Sequence, residues 1–310
     1  MDGRLILFEN RSGGSIIWTT DTSGLGVETV SLLNNGNLVL MGSQSRVMWQ
    51  SFDRPTNTLL PGQTLSYPQI LRPPATRSVT SYYKFVVNTE GIALMWENNV
   101  TYWRTDSVSS VTVKEVRFNA NGVLELYDDM NKIVWSVSSK DFGDGSVSLR
   151  HLRMNQDGNL RIYSWDDDVR TWRIGWQAVE DQCNVFGSCG LYSVCGYNST
   201  GPVCACLYSD SLDSGNGVSG CKKMVDLENC KAHTSMLVMK QTVLYGLYPP
   251  LDVDMMLNEE DCQDYCSNGT TCFASTSKAD GSGLCTLKKT AFICGSTSPA
   301  IPLTSFLGYV

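Results

Sequence analysis

The stretch MNQDGNLRIYSWDDDVRTW, residues 154–172, alternates apolar and polar positions on either side of a QDG turn. Alternation with a period of two marks a half-buried strand, and a Gly between two such runs supplies the positive φ of a tight turn, so the stretch predicts a β-hairpin. The same pattern recurs in LLNNGNLVLMGSQSRVMW (residues 32–49), VNTEGIALMWENNVTYW (87–103) and FNANGVLELYDDMNKIVW (118–135), with a degenerate copy between Gly3 and Trp18. A recurring unit sets the architecture before any single motif does. Each copy predicts a small antiparallel sheet, and the Trp that ends it (Trp18, Trp49, Trp103, Trp135, Trp172) is expected to turn a large aromatic face toward a shared core.

Around these repeats the 310-residue chain divides by cysteine content. All 12 cysteines fall between Cys183 and Cys294. An even number of closely spaced cysteines implies disulfide-stapled modules of an oxidising compartment, whereas the cysteine-free half must fold by burial alone. Sequons at Asn10, Asn99, Asn198 and Asn268 agree with passage through the secretory pathway. With 42% hydrophobic and 18% charged residues the composition is globular. A net charge of −7 and the lack of any Lys/Arg cluster argue against nucleic acid or an anionic membrane as partner. No apolar run is long enough to span a bilayer, and the first ten residues carry no signal-peptide pattern, so the sequence reads as lacking its natural N-terminus.

The repeats resemble those of the bulb-type mannose-binding lectins of monocots, in which three four-stranded sheets pack as a β-prism. That family's sugar site follows Gln-x-Asp-x-Asn-x-Val-x-Tyr. Alternate residues of one strand face the same side, so such a row presents acceptors and donors to adjacent hydroxyls of one ring. The best copy here is Asn155, Asp157, Asn159 and Tyr163, with Arg161 where the family has Val. The copies at Leu33, Asn35, Asn37, Val39, Met41 and at Asn119, Asn121, Val123, Glu125, Tyr127 depart further, and the one at Asn88, Glu90, Ile92 keeps almost nothing. The plain alternative is that Asn-Gly and Asp-Gly persist as turn formers.

Residues 49–62 read WQSFDRPTNTLLPG, a strand end followed by an extended loop, since Pro55 and Pro61 cannot donate to a ladder. This string resembles a signature of the extracellular S-domain of plant G-type lectin S-receptor-like kinases and S-locus glycoproteins. The resemblance implies a mainly β chain: a first bulb-type lectin domain (residues 1–70), N-terminally truncated, a second (78–180), an EGF-like module (181–222) and an α+β PAN/apple module (228–310). It also implies the pairings Cys183–Cys195, Cys189–Cys204, Cys206–Cys221, Cys230–Cys294, Cys262–Cys285 and Cys266–Cys272. Spacing alone leaves 15 pairings open for each set of six. Between the later cysteines, LNEEDCQDYCSNG (residues 257–269) predicts a helix capped by Asn258, with Cys262 and Cys266 on one face. Only Glu180 and Asp181 precede Cys183, so calcium is not expected there, and neither spacing nor His content suits zinc.

The two histidines, His151 and His233, lie in no catalytic or metal-spaced context, and no nucleophile elbow, Walker loop or kinase signature occurs. The run Asp166, Asp167, Asp168 reads as a solvated hairpin turn. No catalytic residue, metal or cofactor is therefore expected. The resemblance implies an extracellular or cell-surface recognition region for a peptide, protein or glycan ligand, with homo- or heterodimers of related receptors as partners; the rival reading is a mannose-binding lectin. The first prism reads as short of one sheet, which would uncover apolar faces on residues 1–65. The chain produced alone is expected to aggregate in part, and a monodisperse, protease-resistant N-terminal segment on gel filtration would overturn this.

Overall fold

The computed structural model describes residues 2–10, 14–74, 82–97, 100–106, 112–207, 221, 235–246, 252–268, 272–290 and 293–309, with 268, 293 and 309 by backbone alone. At the N-terminal side β1 (Ile6–Phe8) pairs with β2 (Ile16–Thr19), and β3 (Val27–Leu32), β4 (Leu38–Gly42) and β5 (Val47–Gln50) form a three-stranded meander. Trp18 meets Trp49 edge-on between the two sheets. Their apolar side is largely uncovered: Phe8, Ile17, Val30 and Leu32 all face solvent, Leu32 at 71% exposure. Among the described residues, none before Leu59 joins the main core.

Three short strands follow, β6 (Thr58–Leu59), β7 (Thr64–Ser66) and β8 (Ile70–Leu71). The three repeats that come next supply β9 (Tyr83–Asn88), β10 (Gly91–Trp96) and β11 (Val100–Arg104); β12 (Val113–Phe118), β13 (Val123–Asp128) and β14 (Ile133–Ser138); β15 (Arg150–Met154), β16 (Leu160–Asp166) and β17 (Thr171–Gln177). Each repeat is a three-stranded antiparallel meander that gains a fourth strand from the short series, in reverse order. β6 pairs with β15, β7 with β12 and β8 with β9. Residues 58–70, which the sequence assigns to the first lectin domain, supply strands to all three sheets built by the later repeats. The reason is burial. Leu59, Leu65 and Leu71 are each fully buried and reach the common core from three successive sheets.

Inside, the alternation works as the pleat requires. Phe85, Leu94, Val116, Leu124, Leu126, Leu152 and Ile162 interlock in one apolar cluster. Trp103 and Trp135, opposite Leu94 and Leu126, pack on its rim. In the third sheet that position falls to Trp176, opposite Ile162, whereas Trp172 pairs with Trp165 on the outer face and is 41% exposed. The expectation that Trp172 is a core residue fails because it lies nearer the hairpin turn than its counterparts in the other sheets.

The cysteine half is not a string of beads. β18 (Ser193–Asn198) and β19 (Gly201–Cys206) form a hairpin in the segment expected to be EGF-like. Beyond it come β20 (Ser235–Lys240), β21 (Thr242–Gly246), β22 (Val253–Met256), α1 (Glu259–Asn268), β23 (Ala274–Lys278), β24 (Leu284–Lys288), β25 (Ile293–Thr297) and β26 (Leu303–Tyr309). Five of these strands make one sheet in the order β20–β26–β23–β24–β22. β25 leaves it, runs parallel to β18 and joins β21, so the modules expected at 181–222 and 228–310 share a four-stranded sheet, β19–β18–β25–β21. The helix α1 is capped at Asn258, whose Oδ1 accepts the Asp261 N–H at 2.8 Å while its amide donates to the Asp261 carboxylate. Glu259, Glu260 and Asp261 in its first turn suit the positive end of the helix dipole.

Five disulfides join Cys183 to Cys195, Cys189 to Cys204, Cys206 to Cys221, Cys262 to Cys285 and Cys266 to Cys272. Each stabilises a small core by roughly 2–4 kcal/mol through restriction of the unfolded chain. Among the described residues Cys294 is buried without a disulfide partner, and burial pushes its thiol pKa up to about 12; Cys230, the partner expected for it, lies outside the described residues. Removing apolar volume at a closing strand should destabilise the prism as a core mutation does. Leu65→Ala is expected to lose about 2–4 kcal/mol in urea unfolding, whereas Leu32→Ala, on the uncovered N-terminal face, is expected to stay within about 0.5 kcal/mol.

Candidate functional site

The expected sugar-binding row lies on the third sheet, in the turn between β15 and β16 and along β16. The turn is fixed by its own polar groups. Asp157 Oδ1 accepts the Asn159 N–H at 3.1 Å, and the Asn155 N–H reaches the Asn159 carbonyl at 2.9 Å. Gly158, at φ +80°, lies against Tyr83 and Val185, where a Cβ would come within 2.7 Å of both, and its carbonyl accepts the Tyr102 hydroxyl at 2.6 Å. Only Gly satisfies both the backbone angle and this approach. The turn is thereby seated on the first sheet and on the start of the EGF-like segment.

The structure places Asn155, Asp157, Asn159 and Tyr163 together, but their polar atoms serve the protein itself. Asn159 is fully buried: its amide donates to the Val179 carbonyl at 2.7 Å and to Gln182 Oε1 at 3.1 Å, and its Oδ1 accepts the Val179 N–H. It therefore ties the exit of the prism to the cysteine half. Arg161 Nη1 grips both oxygens of Asp157 at 2.9 and 2.7 Å, while its other nitrogens reach Gln177 and Gln182. The Asn155 amide donates to the Tyr163 hydroxyl. A carboxylate held at both oxygens by a guanidinium nitrogen offers fewer free lone pairs to a sugar hydroxyl. Arg161, standing where the resembled motif has Val, thus fills the groove from within.

Beyond the row, the outer face of the third sheet is aromatic. The His151 ring stacks on Tyr163 at 5.0 Å and meets Trp172 edge-on at 4.4 Å, and Trp172 contacts Trp165. Burial among these rings, with Arg153 adding positive charge, lowers the His151 pKa to about 4, so the imidazole is neutral at ordinary pH. Composition gave no hint of this platform, because its members come from three strands. The acidic run forms the β16–β17 turn. Asp166 accepts the Asp168 and Val169 N–H groups and pairs with Arg173, and Asp167 accepts the Trp165 indole N–H.

The other copies are also occupied, with one exception. In the N-terminal meander Asn37 spends its amide on Gln50 and its oxygen on Ser51 and Phe52. In the second sheet Asn119 Oδ1 caps its own turn, Glu125 accepts the Tyr127 hydroxyl, and the Arg117 guanidinium lies 4.0 Å over the Tyr127 ring. In the first sheet the turn between Val87 and Ile92 is one residue shorter than its counterparts, and Ile92 is a core residue. The outward row is therefore Gly91, Ala93, Met95, and not Asn88, Glu90, Ile92 as the aligned sequence suggests.

Of the sequons, Asn198 sits exposed at the tip of the β18–β19 hairpin and Asn10 is exposed; Asn99 and the Asn268 side chain lie outside the described residues. No helix among the described residues is long and apolar enough to cross a membrane. The structural duty of Asn159 is measurable. Asn159→Ala strips a buried peptide group of both partners and is expected to lose about 2 kcal/mol in chemical denaturation, whereas Asn121→Ala, an exposed turn residue, is expected to stay within about 0.5 kcal/mol.

Residues 1–82 match the family described as D-mannose binding lectin, and residues 111–209 match the S-locus glycoprotein domain. The G-type lectin S-receptor-like serine/threonine-protein kinase SD3-1 of Arabidopsis thaliana is 36% identical over 320 residues, covering 99% of this chain and 41% of that protein. A PAN domain-containing protein of Arabidopsis thaliana is 26% identical over 92% of this chain and 58% of its own length. Among solved structures, the mannose-specific agglutinin from snowdrop (Galanthus nivalis) bulbs, complexed with methyl-alpha-D-mannoside, is similar over 36% of this chain and 91% of that one, at 21% identity and a TM-score of 0.28. The chain thus spans about two-fifths of the length of the receptor kinase it resembles over almost all of its own. With a lectin domain, an S-locus domain and the cysteine modules in this order, the chain belongs to the plant G-type lectin S-receptor-like family.

Proposed function

We propose that this chain is the extracellular recognition region of a plant receptor-like protein, binding a protein, peptide or glycan ligand and dimerising with itself or with related receptors. The observation that carries the reading is the internal satisfaction of the mannose-type row. Asp157 is committed to Arg161 and Asn159 to Val179. A dedicated mannose lectin needs those atoms free for the sugar, whereas a recognition scaffold needs them to lock the prism onto the modules that follow. Likeness to a receptor kinase over 41% of its length, and the match to the S-locus glycoprotein domain, support the same reading. So do the five disulfides and the exposed sequon at Asn198, which suit an oxidising, glycosylating compartment.

The chain, secreted from plant cells behind an added signal peptide, tests both parts. It is expected to carry a glycan at Asn198 that Asn198→Gln removes, and to give no mannose signal on a glycan array. A mannose signal that Asp157→Ala abolishes would instead establish the lectin reading.

A further inference from the structure

The outer faces of the three prism sheets carry the same groove with different contents. The positions equivalent by pleat are Gly91, Val123 and Asn159, then Ala93, Glu125 and Arg161, then Met95, Tyr127 and Tyr163. In the second sheet Glu125 accepts the Tyr127 hydroxyl, and Arg117, paired with Glu115, lies over the Tyr127 ring; in the third Arg161 bonds Asp157 and Gln182. The first sheet has nothing large enough to do this. Gly91 and Ala93 leave an open cavity of about 190 Å³, enough for the liquid volume of roughly six waters and for a single small ring.

The walls of this cavity are chemically uneven. Ala93 and Met95 form an apolar floor along β10. Thr101 and Arg104 line one side from β11, and Asn88 and Glu90 the turn end. Arg104 and Glu90 enter no ion pair and no side-chain hydrogen bond among the described residues, whereas Glu125, Asp157 and Arg161 of the equivalent grooves are each hydrogen-bonded. Gly91 cannot be enlarged, because a Cβ there would lie 2.3 Å from Thr105 Oγ1, which itself accepts the Ile92 N–H. The same ladder position holds Ser51 under Leu38 in the N-terminal meander, so the anchor is a repeated feature while the open space above it is peculiar to this sheet. Further along the floor, Lys84 faces Met95 from β9, and burial, with the nearby Arg72 charge second to it, lowers its pKa.

We propose that the groove of the first sheet binds a sugar acid, a hydroxylated ring bearing one carboxylate. The guanidinium of Arg104 takes the carboxylate, for which its planar fork is suited. Hydroxyls donate to Glu90 and accept from Thr101 and the Asn88 amide, and the C–H face of the ring lies on Ala93 and Met95. A neutral sugar would leave Arg104 without a partner, and an aliphatic acid would leave Glu90 and Asn88 without theirs. This assignment rests on the recognition role proposed above and names the ligand class for one face of the prism.

Titration calorimetry of the whole chain with galacturonate and glucuronate, against galactose and glucose, tests it, with short uronate oligomers as a separate arm to distinguish a free sugar acid from the end of a polymer. Both uronates or one of them should bind at least tenfold more tightly than the neutral counterpart. Ala93→Arg, which places in this groove the residue that fills the third, should abolish binding, and Arg104→Gln should weaken it about tenfold, the value of one charge-assisted bidentate contact. Arg104 is exposed, so that variant keeps the fold even if Ala93→Arg does not. Absence of uronate binding, equal binding of the neutral sugars, or binding unchanged in Arg104→Gln overturns the assignment. Uronate binding that persists in both variants places recognition elsewhere on the chain, which overturns this site while leaving the recognition role intact.

Discussion

The prism depends on one segment, residues 58–71, that lends a strand to each of three sheets in turn. A three-stranded meander with one greasy face is unstable in water, and its outer edge offers unpaired peptide groups to any passing strand. Here both problems have one solution. Each short strand supplies the missing ladder at an edge, and one leucine from each strand, Leu59, Leu65 and Leu71, enters the core where the sheets meet. The N-terminal sheets, β1–β2 and β3–β5, show the contrast. They repeat the same local pattern without such a closure among the described residues, and their apolar side chains stand in solvent.

The repeats were legible because a hairpin writes itself locally: alternation and a Gly turn are visible within a dozen residues. The closing strands were not. Two or three residues between prolines carry no periodicity, and nothing in Thr58 or Ile70 says which sheet will accept them. The exchange of Trp172 for Trp176 escaped for a related reason, since spacing from the turn, and not from the pleat, picked the wrong Trp. The candidate row was found correctly as a set of neighbours. Its internal hydrogen bonding was not legible, because the partners that engage it, Val179 and Gln182, lie some twenty residues further along the chain. The shared sheet β19–β18–β25–β21 joins strands about a hundred residues apart and leaves no local trace at all.

Functionally, the three outer grooves describe divergence on a common frame. The inward positions of the three sheets are alike in being apolar and packed, whereas the outward positions differ from sheet to sheet. One groove holds an arginine, another a tyrosine under a guanidinium, and one an open cavity whose charged residues are unpaired among the described residues. The cysteine half contributes position more than chemistry. Asn159, Gly158 and Tyr83 all press on its first residues, Tyr83 by donating to the Phe186 carbonyl at 3.0 Å, so the prism is held against the hairpin that continues into the last module.

The order in which the closing strands occur in the chain bears on how the protein is made. Leu59 pairs with Leu152, and 152 − 59 leaves 93 residues to be synthesised before the partner exists. At about 5–20 residues per second this is a wait of roughly 5–20 s, during which the segment emerges with its leucines and its ladder groups unmatched. β8 finds β9 first, β7 finds β12 next and β6 finds β15 last, so the segment is zipped from its far end backward as each repeat leaves the ribosome. A chain built this way is exposed to wrong pairing during its synthesis and becomes safe only when the third repeat arrives.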